Sequence, residues 1–402
     1  MTDQQLPAGF LWTGVRAGIK ASGNPDLAIA IAPSGAAAAA MFTTNQVVAA
    51  PIIVGRKHIE KSGGYVRALV VNAGNANCAT GDLGLLACDQ ICQAAAAEYN
   101  CTESEVFPSS TGIIGVPLPY QNIVNALPLA SSTLGSTPEH AAAFANTILT
   151  TDTKAKIARA TIEVDGAHVH IFGVCKGAGM IGPQLGPPHA TMLVYLFTDL
   201  QAEPDDLRPI LNAAVEQSFN SISIDGDMST NDTVLLLASG ASKVPLNART
   251  QQPFEDALQL VCNSLAQQII DDGEGVTHVV TLHITGARSK EEARRIAKSI
   301  AHSPLCKTAW SSGDPNWGRI LAAAGYAGVK FDPATVSIHI GPNPVFSRGT
   351  RAEDFNEEAT HAHMLLREYT ITFDLGHGKA ETRFLTCDLT SEYVRINADY
   401  ST

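Results

Sequence analysis

Lys176-Gly-Ala-Gly-Met-Ile-Gly-Pro-Gln-Leu-Gly-Pro-Pro-His-Ala190-Thr191-Met-Leu-Val-Tyr-Leu-Phe-Thr198-Asp199 is the stretch on which the reading of this chain turns. A Gly/Pro-rich loop, able to hold a strained backbone, runs straight into an apolar strand that begins at Thr191. A threonine at such a junction suits an N-terminal nucleophile. A hydroxyl so placed can attack the Ala190 carbonyl, shift the acyl group from nitrogen to oxygen, and let water release the upstream chain. The freed α-amine has an intrinsic pKa of about 7.7–8.0, so it can serve as general base for the hydroxyl beside it. Taken alone, the junction fits an ordinary threonine opening a strand better than a nucleophile, since such threonines are common. Gly177, Gly179 and Gly182 also spell G-x-G-x-x-G after a strand, with Asp199 beyond them. A dinucleotide fingerprint needs a helix after its last glycine. Pro183, Gly186, Pro187 and Pro188 leave no room for one, so the glycines read as a turn.

Outward from this stretch the chain mixes α and β. Val66–Val71 and Thr233–Ala238 read as buried strands, the first stopping at the turn-rich Asn72–Asn77. Asp82 is the expected cap of a helix with stripe Leu85, Cys88, Ile91, Cys92 and Ala95. Thr137-Pro138-Glu139 opens another helix. Ile162–Ile171 alternates around Asp165-Gly166, a hairpin signal. Helices are expected over 207–218 and 254–270, and a strand over 276–284. Ser289-Lys-Glu-Glu292 is a capping box ahead of Ala293, Ile296, Ala297 and Ile300. Strands at 335–340, 369–375 and 379–387 follow. The alanine run Ala36–Ala40 is too short to count as low complexity, and no internal repeat is visible. Layered α/β is the expected class.

The 402 residues allow two to three domains or one large α/β body. Hydrophobic residues make up 45% and charged residues 16%, which excludes a disordered chain. Lys and Arg number 27 against 39 Asp and Glu, a net charge of −12. That balance repels nucleic acid and anionic membranes. The eight cysteines form no C-x-x-C pair and read as small buried hydrophobes in a reducing compartment. Met1–Trp12 lacks the pattern of a secretory or transit peptide, and no segment is long and apolar enough for a bilayer span. A cytoplasmic location is the expectation.

Asp225-Gly-Asp227-Met-Ser229-Thr-Asn231-Asp232 resembles a calcium loop, but Thr230 and Leu236 stand where an EF-hand needs Gly and Glu. It reads as a polar turn into the strand at Thr233. The 12 histidines show no metal-ligand spacing, so no metal site is expected.

Lys176-Gly-x-Gly-Met-Ile with Ala190-Thr191-Met-Leu resembles the bifunctional ornithine acetyltransferase (glutamate N-acetyltransferase) family, which cleaves itself at this Ala-Thr bond. The likeness spans the chain. Ala17–Lys20, Met41–Asn45, Asn72–Asn77, Ser110–Gly112, Leu149–Thr153, Ile224–Asp232, Asp272–Gly275, Asp314–Arg319 and Tyr393–Tyr400 all resemble family blocks in order.

The resemblance implies paired β-sheets between helix layers, a fold shared with self-cleaving aminopeptidases. It implies an α chain of residues 1–190 and a β chain of 191–402, intertwined in one body and assembled as two α and two β chains. Thr191 would carry the acetyl group. Thr111 and Gly112 would form the oxyanion hole, on a segment Pro108–Gly112 read as a turn. Thr150, Lys176, Thr191, Glu274, Asn397 and Thr402 match substrate-binding positions, and Ala190 and Thr191 flank the cleaved bond. Lys176 would meet the substrate carboxylate, and Glu274 or the terminal carboxylate the ornithine amine. Glu274 is expected to point inward from Asp271–Gly275 while the aspartates stay wet. The implied reaction moves acetyl from N-acetylornithine to glutamate, with no metal or redox cofactor. Some members also accept acetyl-CoA, so the resemblance admits it as a second donor. A self-cleaving aminopeptidase and a scaffold without activity are the alternatives. Two departures are visible: Gly186–His189 looks like extra loop residues, and Ala309-Trp-Ser-Ser-Gly313 replaces a more hydrophobic stretch. Both bear on the expected pocket wall.

Overall fold

The computed structural model describes residues 5–182 and 192–399. Strands β1 (Leu11–Val15), β2 (Leu27–Phe42), β3 (Tyr65–Asn75), β4 (Val106–Ile113), β5 (Lys156–Val164), β6 (Ala167–Lys176), β7 (Leu193–Thr198) and β8 (Thr233–Ala238) form one eight-stranded sheet. Its order is β4-β3-β2-β8-β7-β6-β5, with β1 on β2. The 16-residue β2 is the hinge of the sheet. Its first half pairs with β1 and β3, its second with β8, and its register shifts between Ile31 and Ala36, around Pro33. Proline donates no ladder hydrogen bond, so it belongs at such an irregularity.

Alternation then sorts the side chains into layers. Leu69 and Val71 of β3 share a core with Phe172, Val174, Tyr195 and Phe197 of β6 and β7. Trp12 of β1 meets Phe172 and Phe197 edge-on, at centroid distances of 5.8 and 5.6 Å. The sheet thus closes into two layers with one core between them. The opposite faces are covered by helices. Ala68 and Val70 pack with α1 (Ala50–Lys61), α2 (Gly81–Tyr99) and α3 (Tyr120–Ser132). Val194, Leu196 and Leu236 pack with α5 (Pro204–Glu216) and α6 (Gln251–Asp271). Helix α4 (Pro138–Thr147) adds Phe144 to the inner core. Because β7 meets apolar groups on both faces, it is buried at every position. The expected paired sheets between helix layers are what the chain forms.

A second sheet, of order β12-β11-β10-β13-β9-β14, is built from β9 (Val279–Ala287), β10 (Ser337–Ile340), β11 (Asn343–Ser347), β12 (Thr350–Arg351), β13 (Glu368–Asp374) and β14 (Ala380–Cys387). Helices α7 (Lys290–Ala301), α8 (Pro304–Ser311) and α9 (Trp317–Gly325) cover one face. Ser289 Oγ accepts from Glu292 N at 3.2 Å, while the Glu292 carboxylate accepts from Arg288 N at 3.1 Å instead of the Ser289 amide, so the expected box forms only its N-cap half; Ala293, Ile296, Ala297 and Ile300 are buried, as the stripe requires. Helices α10 (Glu357–Met364) and α11 (Ser391–Asp399) complete the chain.

Several sequence expectations are corrected. Val66–Val71 does not stop at Asn72, because parallel pairing with β4 carries β3 to Asn75. Pro108–Gly112 is no turn but most of β4, which pairs with β3. Thr80, not Asp82, holds the N-cap position of α2, with no capping bond from its side chain, and Asp82 lies in the first turn. Asp272 is not wet; it is buried against Lys156. Trp310, in the substituted stretch 309–313, is buried in the core of the second sheet and builds no pocket wall. All eight cysteines are free, and all but Cys101 are buried. Among the described residues, no helix is long and apolar enough to cross a membrane, and no group of His, Cys, Asp or Glu is arranged to hold a metal ion.

Candidate active site

The backbone at the end of β4 is tightly specified. Thr111 aligns with Ala73 and Gly112 with Gly74, and the register shifts between Gly74 and Asn75. Gly112 has φ +131°, and a Cβ there would stand 2.3 Å from the Gly74 carbonyl carbon. Only glycine fits so close to a neighbouring backbone. Side chains hold this strand end from several sides. Asn231 Nδ2 donates to Ala76 O at 2.6 Å and to Ser110 O at 2.9 Å. Ser110 Oγ donates to Asn72 Oδ1 at 2.6 Å, and Tyr195 OH to Ser109 Oγ at 2.7 Å.

Lys176, at the end of β6, donates from Nζ to Thr111 Oγ1 at 3.3 Å. An ammonium has no acceptor, so Thr111 accepts here and its own hydroxyl hydrogen stays free to point elsewhere. Behind them lies a charged cluster. Asp152 accepts from Thr150 N at 3.1 Å, from Gly177 N at 2.6 Å and from Lys156 Nζ at 2.6 Å. Lys156, on β5 and fully buried, also reaches Asp272 at 2.6 Å. Asp272 in turn accepts from the Thr153 amide and hydroxyl. Burial pushes the Asp152 carboxyl up, but Lys176, Lys156 and the two hydrogen bonds outweigh it and hold the pKa at about 2. For Lys156, burial lowers the pKa and the two aspartates more than restore it. The cluster thus ties the Thr150 loop, the Gly177 turn and the end of α6 together.

Glu274 is buried beside the G-x-G turn. Its amide donates to Ala178 O at 2.9 Å, and its carboxylate accepts from Asn397 Nδ2 at 2.8 Å. A Cβ on Gly179 would lie 2.4 Å from Glu274 Oε2. A side chain at 179 would crowd the Glu274 carboxylate. Helix α11 stands over the pocket with Tyr393 and Asn397 on one face. Tyr393 OH donates to Asp225 Oδ2 at 3.2 Å.

One pocket is lined by Thr111, Gly112, Thr150, Lys176 and Asn397, five of the positions expected from the sequence, and also by Met192, which follows Thr191. Glu274 stands behind this lining, joined to it through Asn397. Ala190, Thr191, Thr402 and the Gly186–His189 stretch lie outside the described residues. Asp152, Lys156, Asp225, Asn231 and Asp272 escaped the reading of the sequence as parts of the site. Asp225 and Asn231 sit in the polar run dismissed as a calcium loop. Asp152 and Asp272 lie in the family-like blocks at 149–153 and 272–275. Lys156 carried no signal, since nothing in a strand pattern marks a lysine as buried.

The ArgJ family model matches residues 11–402. The chain belongs to the ArgJ family. A relative from Thermus thermophilus, named arginine biosynthesis bifunctional protein ArgJ, is 45% identical over 99% of both chains. One of the same name from Chlorobaculum tepidum is 42% identical over 98% of this chain and 96% of its own. Among solved structures, the ArgJ protein of Bacillus halodurans shares 39% identity over 50% of this chain and 96% of its own, with a TM-score of 0.48.

Proposed function

We propose that this ArgJ-family chain transfers an acetyl group from N-acetylornithine to glutamate, through an acetyl ester on Thr191. The observation that carries the reading is the pocket in which Thr111, Gly112, Thr150, Lys176 and Asn397 meet beside Met192. The precursor first cleaves itself. Thr191 Oγ attacks the Ala190 carbonyl, the peptide bond gives way to an ester, and water hydrolyses that ester. Residues 1–190 and 191–402 then remain as two chains of one body, and two of each assemble.

In turnover, the Thr191 α-amine takes the proton from Oγ, which attacks the acetyl carbonyl of N-acetylornithine. The oxyanion that forms is met by the Thr111 hydroxyl and the Gly112 backbone. Lys176 leaves the Thr111 hydrogen available for this, because it can only donate. The tetrahedral intermediate collapses, the ornithine α-nitrogen leaves with the proton, and the acetyl stays on Thr191. The glutamate α-amine then attacks the ester and departs as N-acetylglutamate. Acetyl-CoA can load the same ester from its thioester. The route needs no metal and no redox cofactor.

Lys176, Thr150, Asn397 and Thr402 bind the substrate's polar groups, and Glu274 answers the ornithine amine. A charge buried without a partner is costly, so each pocket charge favours a substrate of matching form. Steady-state kinetics test this. Glu274→Gln should raise KM for N-acetylornithine about tenfold and that for glutamate less, since glutamate lacks the amine. Lys176→Met should weaken both. Equal effects of Glu274→Gln on the two substrates would remove its role.

A further inference from the structure

We propose that Asp225 is a positioning residue that holds two parts of the site together: the turn at Met180–Ile181, upstream of the cleaved bond, and the C-terminal helix over the pocket. The inference rests on the function proposed above and assigns work to Asp225, in the polar run at 225–232, which that function leaves without a role.

The geometry is specific. Asp225 Oδ2 accepts from Met180 N at 2.7 Å, and Oδ1 from Ile181 N at 2.8 Å and from Asp227 N at 3.2 Å. Ile181 O in return accepts from Ile224 N at 2.7 Å and Ser223 Oγ at 3.0 Å. The turn at 180–181 is therefore clamped on both its donors and its acceptor. Met180 has φ +55°, a conformation that a methionine holds only when its surroundings impose it. The clamped turn lies upstream of Ala190 and Thr191 in the chain. A peptide bond about to be attacked by its own side chain must be held near the attack geometry. Asp225 supplies a fixed point upstream, and the pairing of Leu193 with Lys176 and Thr233 supplies one downstream.

The same carboxylate receives the Tyr393 hydroxyl. None of the residues of α11 is buried, so apolar packing does little to fix that helix. Its side-chain ties to the pocket are Tyr393 to Asp225 and Asn397 to Glu274, four residues apart on one face. Thr390 adds a bond to Gly275 O at 2.7 Å at the helix start. Asp225 thus serves cleavage through one set of bonds and substrate binding through another.

Two variants separate these roles. Asp225→Asn replaces one accepting oxygen with a donor that faces a backbone N–H or the tyrosine hydroxyl. Freshly made precursor, followed by intact mass, should cleave about tenfold to a hundredfold more slowly, the loss expected for a hydrogen bond to a charged group. Tyr393→Phe removes only the tie to α11. It should cleave within about twofold of the unaltered chain, while its KM for N-acetylornithine rises about fivefold. A wild-type cleavage rate in Asp225→Asn would overturn the proposal. So would Tyr393→Phe slowing cleavage as much as Asp225→Asn, because a merely structural contact would move both together. If Asp225→Asn fails to fold, Tyr393→Phe alone decides: an unchanged KM sinks the tie to the helix. A wild-type chain that never cleaves at Ala190-Thr191 would instead refute the underlying function.

Discussion

The two sheets of this molecule solve different problems. In the six-stranded sheet, Val280, Leu282 and Ile284 alternate with polar residues and face α7, whose stripe is equally clean. None of the residues expected at the site lies on its strands. In the eight-stranded sheet both faces are covered, the register breaks at β2 and at Gly74, and the ends of β4 and β6 carry Thr111, Gly112 and Lys176. Behind those ends a lysine and two aspartates are fully or nearly fully buried. The first region is a regular core in which period and burial agree. The second gives up regularity, and burial of apolar groups alone, to fix a pocket.

Disturbing the buried charges should have the largest effect. Lys156→Met removes the lysine that bonds both Asp152 and Asp272 and leaves Asp152 with Lys176 alone, and breaking a buried pair from one side costs about 3–5 kcal/mol. The acid limb should move as well. Asp152 titrates at about 2 instead of its ordinary 3.8, so its contribution is present above 3.8 and is lost as pH falls toward 2. Without Lys156 the carboxyl titrates higher, and chemical denaturation at stepped pH should show stability falling away at higher pH than in the unaltered chain. An unchanged acid limb would mean that Lys156 does not hold Asp152.

Next in size is the oxyanion donor. Thr111→Val keeps the shape and removes the hydroxyl, and losing one such donor costs on the order of 10²–10³ in kcat. Single-turnover transfer should fall by that factor while thermal unfolding changes little. A wild-type rate would leave the backbone at Gly112 as the donor. The smallest effect belongs to the regular sheet. Ile284→Val removes one methylene from a fully buried side chain, for about 0.5–1.5 kcal/mol of stability. Denaturant melts should show that loss with kcat unaltered; a drop in kcat would couple the second sheet to the chemistry.

The same contrast governs what the sequence disclosed. The Ser289 cap, the stripe of α7 and the strands β9, β10, β13 and β14 of the second sheet were legible because period and burial agree there, whereas the short β11 and β12 were not. So were the Asp165-Gly166 hairpin and the strand Thr233–Ala238, which local signals fix. β2 was not, because its Ala36–Ala40 run has no strand-forming side chains and is set by pairing with β8. Pro108–Gly112 looked like a turn because proline, serine and glycine dominate it, yet pairing with β3 makes it a strand. At the site, Thr111, Gly112, Thr150, Lys176 and Asn397 were legible through resemblance, and the structure gathers them around one pocket. The cluster of Asp152, Lys156 and Asp272 was not, since it joins positions more than a hundred residues apart. Long-range charge pairing leaves no periodic trace.

The central claim is that one hydroxyl, on Thr191, both cuts the chain and carries the acetyl group. Intact mass of the purified protein, taken before and after a brief addition of N-acetylornithine, tests it most directly. The account predicts two chains, the second beginning Thr-Met-Leu-Val and gaining one acetyl group, with Thr191→Ala uncut and unlabelled. A fully active single chain, or an acetyl group that still appears on Thr191→Ala, would contradict it.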